Sequence, residues 1–108
     1  MVSASTLLGE VIQSSTPAEF AAYGYSVSMS GNTAAVGEWF DTGVVNILQR
    51  NSDTQKWQEV QIIRTPDAQR RQVNFGFSTW LDGDQLVVGA PNIFFTVPGA
   101  VTTGYAYI

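Results

Sequence analysis

Apolar and small residues alternate from Phe75 to Asp82. Phe75, Phe77, Thr79 and Leu81 fall on one face, Gly76, Ser78 and Asp82 on the other, and Trp80 interrupts the small face. A period of two is the mark of a half-buried strand. Tyr23 to Ser30 has the same rhythm. Each stretch runs into turn chemistry, Ser30-Gly31-Asn32 and Asp82-Gly83-Asp84. A short apolar run follows, Thr33 to Val36 and Gln85 to Val88, suited to a strand buried on both faces. Val44 to Gln49 and Tyr105 to Ile108, entered through Gly43 and Gly104, complete the pattern. Leu7 to Gln13 and Trp57 to Arg64 are expected to be the first strand of each set. No convincing helical period occurs; Thr16 to Ala22 has room for one turn.

The two sets are copies. Tyr23 to Gly37 aligns without gaps on Phe75 to Gly89, an offset of 52 residues. Gly24/Gly76, Ser26/Ser78, Gly31/Gly83, Val36/Val88 and Gly37/Gly89 are identical. An internal repeat of this length signals stacked, like units. The expectation is one domain over residues 1–108, with repeat one at about 5–50 and repeat two at about 56–108, joined by Asn51 to Gln55. The second copy is longer after its third strand. It includes Ile93-Phe94-Phe95 before a Pro98-Gly99 turn, the makings of an inserted hairpin.

The pattern FG.S….GD..VVGAP, with a Gly and the aromatic strand Tyr105-Ala106-Tyr107 after it, resembles the FG-GAP repeat. Phe75-Gly76 and Gly89-Ala90-Pro91 carry the likeness. The first copy has Tyr23 for Phe and Glu38-Trp39 for Ala-Pro. The resemblance implies an all-β chain whose repeats are four-stranded antiparallel blades of a β-propeller, as in integrin α-chains and some fungal lectins. It also implies binding of proteins or sugars, with catalysis uncommon. Many members hold calcium in a loop of the form D.D.DG..D. The turn Asp82-Gly83-Asp84 lacks that form, so no metal site and no cofactor are carried over.

Composition narrows the function. Charged residues are only 13% of the chain and the net charge is −4, so five basic residues offer no phosphate-binding stripe and nucleic acid is not an expected partner. No apolar run is long enough to insert into a membrane. The start has no basic region and apolar core of a signal peptide. An extracellular or virion-surface setting is still the expected one. Cys and His are absent, which removes disulfides, thiolate and histidine catalysis, and the usual zinc ligands. Nothing in the spacing of the acidic residues selects a catalytic pair, so an enzyme is not expected. Glu59, Arg70 and Arg71 read as solvated charges.

A propeller closes with about four to eight blades, and two blades leave apolar faces open. The expected partner is therefore further copies in a head-to-tail ring, a trimer by preference, or a larger assembly that covers those faces. Candidate binding or interface residues are Trp39, Phe40 and Asp41 in the loop that replaces Ala-Pro, Phe94 and Phe95 in the insertion, and Trp80. Trp and Phe beside acidic groups in a loop suit recognition or can fold over the blade edge. Trp80 either packs against a neighbouring blade or offers its ring to a ligand, a glycan in the lectin reading.

Overall fold

The computed structural model describes residues 10–15, 22–39, 43–65, 74–91 and 104–108. Two antiparallel sheets are built from them. The first has the order β1 (Ser26–Ser30), β2 (Thr33–Glu38), β3 (Val44–Arg50), β4 (Trp57–Arg64); the second is β5 (Ser78–Asp82), β6 (Gln85–Ala90), β7 (Tyr105–Tyr107). No helix occurs among the described residues, and the all-β expectation holds.

The turns behave as their residues dictate. Ser30 pairs with Thr33 and Asp82 with Gln85, so Gly31-Asn32 and Gly83-Asp84 are two-residue hairpin loops. The two hairpins share one register: Ser26 lies opposite Gly37, and Ser78 opposite Gly89. Duplication in sequence is duplication in structure.

Two expectations are corrected. Trp57–Arg64 does not open the second sheet; it is the outer strand of the first, paired antiparallel with β3. Asn51 to Gln55 is accordingly a hairpin loop inside one sheet. The Asn51 side chain accepts the Asp53 and Thr54 N–H groups, and the Asn51 N–H donates to the Lys56 carbonyl. A seven-residue strand followed by such a tight loop returns directly onto itself, whereas reaching a new sheet needs a longer path. Glu10 to Gln13, expected within a strand, form none; the Glu10 carboxylate instead accepts the Trp57 N–H, at 3.4 Å. Between β3 and β4 the register slips at Ile47/Leu48, leaving Val60 of β4 without a partner residue in the ladder. Such a bulge adds twist to an edge strand.

One core serves both sheets. Ala35 and Val45 from the first, and Phe75, Val88 and Ala90 with the second, form a single buried cluster. Ile47, Ile63, Leu86, Tyr105 and Tyr107 pack on it. Phe75 is its largest side chain and meets Tyr107 edge to face at 5.3 Å.

The sheets meet through backbone. Phe75 and Gly76 lie against Gly37 and Gly43, so close that a Cβ on Gly37 would overlap the Gly76 carbonyl oxygen. Gly76 itself has φ +96°, a conformation open to glycine and strained for other residues. Gly37→Ala is expected to destabilise the fold by about 3 kcal/mol, because backbone must move. Gly83→Ala, which carries only a positive φ and meets nothing within 4 Å, is expected to cost about 1 kcal/mol. Urea unfolding of the two variants measures the contrast.

Candidate interaction surface

β1 and β5 run side by side where the sheets join, and serines stitch them. Ser26 Oγ donates to the Gly76 carbonyl at 2.8 Å. Ser28 Oγ accepts the Leu81 N–H at 2.7 Å, and Ser30 Oγ accepts the Gly83 N–H at 2.9 Å. Period two puts all three hydroxyls on one face of β1. The Leu81 N–H is one that the β5–β6 hairpin leaves free, since Leu81 sits opposite Leu86 between two bonded pairs. Small side chains are needed there because the backbones are close.

One end of this seam is closed by rings. Trp39 meets Tyr25 at 5.3 Å and Phe77 at 5.6 Å, both edge to face, and Tyr25 meets Phe77 at 5.0 Å. The buried Asn74 amide donates to the Trp39 carbonyl at 3.4 Å. Trp39 is thus half-buried, holding the two blades' aromatic entries together.

The other faces of the same strands are open. Val27 is 67% exposed and Met29 66%, on the side of β1 away from β5, beside a Tyr25 that is also more than half exposed. Trp80 is 67% exposed on the side of β5 away from β1. Together these form an unusually apolar outline for two adjacent sheets, since isolated exposed residues are ordinary and rows of them are not. Of the residues singled out in the sequence, Trp39 and Trp80 lie on opposite sides of β5, one inside the seam and one outside. Phe40, Asp41, Phe94 and Phe95 lie outside the described residues. Sequence reasoning missed Val27 and Met29. Their twins Thr79 and Leu81 are covered by the first sheet, and among the described residues no third sheet covers Val27 and Met29.

Polar features lie elsewhere. Glu38 is buried and Glu59 half-buried, each with an Oε1 that has no hydrogen-bond partner, so Glu59 is not simply a solvated charge. Burial first, then the Glu59 and Glu38 carboxylates, hold the Tyr23 phenol above its ordinary 10.0. A hollow of about 240 Å³ is lined by Asn32, Gln49, Arg50, Asn51, Ser52, Gln58 and Val60. The Arg50 guanidinium donates twice to the Asn32 side-chain Oδ1, at 2.7 and 2.9 Å, and lies 5.6 Å from the Trp57 ring. Among the described residues no three acidic groups gather as metal ligands would.

Antiparallel sheets joined at their inner strands, each repeated in sequence, define blades of a β-propeller type. The ring is not closed by these two sheets. The FG-GAP repeat family model matches residues 12–52, so that part of the chain is similar to FG-GAP repeats. The match falls on the copy with Tyr23 and Glu38-Trp39, and the 52-residue offset ties the second copy to it. No curated protein and no solved structure matches the chain.

Removing one stitch should be measurable. Ser28→Ala leaves the Leu81 N–H without its partner and is expected to cost about 1–2 kcal/mol in chemical unfolding. The Tyr23 phenol, neutral form favoured by folding, contributes stability present in full below its unfolded value of 10.0. That contribution is lost as pH rises through 10.0 toward the higher folded value. Unfolding curves at pH 9 and roughly pH 11 should therefore diverge less for Tyr23→Phe than for the wild type.

Proposed function

We propose that this chain is a non-catalytic interaction module: two propeller blades that work by binding protein through their open blade faces. The observation that carries the reading is the pair Val27 and Met29, exposed on β1 where their equivalents Thr79 and Leu81 on β5 are covered. Adjacent exposed apolar side chains of that kind mark a surface suited to a partner. Self-association into a ring is the preferred form, with three chains giving about six blades; docking onto a larger assembly is the other.

One observation favours a second reading, carbohydrate binding. The hollow lined by Asn32, Gln49, Asn51 and Gln58 presents amides, and amides with a nearby indole suit sugar hydroxyls and ring faces. A glycan array separates the readings: saturable binding lost in Gln49→Ala would favour the sugar.

The protein-binding reading is tested by light scattering of the 11.7 kDa chain, with Val27→Lys/Met29→Lys as the companion variant. The expected result is a wild-type mass that is a multiple of the chain's and a variant that falls to the monomer with its circular dichroism unchanged. A wild type that remains monomeric at about 100 μM, well above the usual range for specific assembly, and binds no hydrophobic dye would overturn it.

A further inference from the structure

The chain holds one complete contact between blades and, at its two open faces, the two halves of another. In the complete contact β1 contributes Ser26, Ser28 and Ser30, and β5 contributes the covered row Phe77, Thr79 and Leu81. The open face of β1 is Val27 and Met29, the twins of Thr79 and Leu81 in that covered row. The open face of β5 is Ser78, Trp80 and Asp82, the twins of the three serines. The geometry points to these two open faces as partners: β5 of one copy lies on β1 of a second copy, head to tail, with Trp80 seated on Val27 and Met29. This rests on the reading of the chain as an interaction module and names its partner as the chain itself.

The substitutions between twins agree with that pairing. Ser78 keeps the hydroxyl with which Ser26 reaches the Gly76 carbonyl, so its target in the second copy is the Gly24 carbonyl. Asp82 replaces Ser30 and can accept the Gly31 N–H of the second copy, as Ser30 accepts that of Gly83. At the middle position both sides change together. Ser28 faces a row containing Thr79; Trp80, in its place, faces a row containing Val27. A hydroxyl is lost on each side of the same contact. The internal seam is polar at its centre, and the open one is apolar at its centre. An aromatic anchor desolvated at the middle of a contact is where binding energy concentrates. The same difference keeps register: a serine row and a tryptophan row are not interchangeable, which directs each copy's β5 to another copy's β1. Because the two faces differ, the contact is heterologous and propagates until a ring closes.

The chain has no cysteine, so introduced thiols report the contact cleanly. In Met29→Cys/Trp80→Cys, mild oxidation of the assembled protein should give covalent multimers, with a top rung that counts the chains in the ring. Each single variant should give none, because a head-to-tail contact never brings like positions together. Ser28→Cys/Leu81→Cys, the twin pair within one chain, is the control for geometry. Trp80→Lys is a second measurement at an exposed position. It should weaken association at least about tenfold by sedimentation, while Gln61→Lys, on the exposed outer strand, leaves it unchanged. A wild type that associates without forming the 29–80 cross-link, and with association unaffected in Trp80→Lys, overturns this contact and leaves the interaction module standing. A wild type that is monomeric and forms no cross-link overturns both.

Discussion

The fold depends on one close approach: the backbone of Phe75-Gly76 against Gly37 and Gly43. A side chain at either of those glycines of the first sheet would occupy the place of Phe75 or Gly76 main-chain atoms. The approach is what lets Ser26, Ser28 and Ser30 reach β5 with side chains only two heavy atoms long. It is also what carries Phe75 into a core shared with Ala35 and Val45. The glycines of the repeat are therefore junction residues, and the aromatic beside Gly76 fixes where the junction sits. Neither sheet has a core of its own large enough to stand apart, which suits units that are stable only when stacked.

The boundary of the repeat in sequence is not the boundary of the sheet. β4 belongs by sequence to the second copy and by hydrogen bonding to the first sheet. In the first sheet the outer edge is thus completed by chain that leads into the second copy. The consequence is cohesion: pulling the second repeat away would strip the outer strand from the first sheet, uncovering Ile63 and the core it packs on. In the second sheet the described strands end at β7, three residues long. A short edge strand is a weak template for unintended pairing.

Much of this was legible from alternation and from the spacing of glycines. The hairpins at Gly31 and Gly83 were readable because two-residue loops with glycine leave few alternatives. The assignment of Trp57–Arg64 was not, because strand membership across a short loop depends on which sheet edge is free, and residue pattern is silent on that. Its first residue even carries an aromatic that fits either place. Trp39 illustrates a different limit. From sequence, an indole among acids in a loop suits a partner or the blade edge equally; which one it meets depends on Tyr25 and Phe77, and the latter lies 38 positions away. Glu59 was misread for the same reason, since one face of an outer strand can still turn inward.

Trp80 is the residue at which these strands of argument meet. On a single strand it is an exception to alternation and says nothing definite. Against its twin it marks a position where a serine is required by the internal seam, because only a short hydroxyl fits beside the Leu81 N–H. A tryptophan at Ser28 would displace that contact, so the twin position is not bound by the same requirement. The facing surface of matching size and chemistry that the chain itself displays is the row of Val27 and Met29, open on the far side of the first sheet. What looks like an irregular strand is a repeat that treats its internal and external neighbours differently. In the proposed head-to-tail contact that asymmetry has a use, because identical internal and external seams would let blades exchange places.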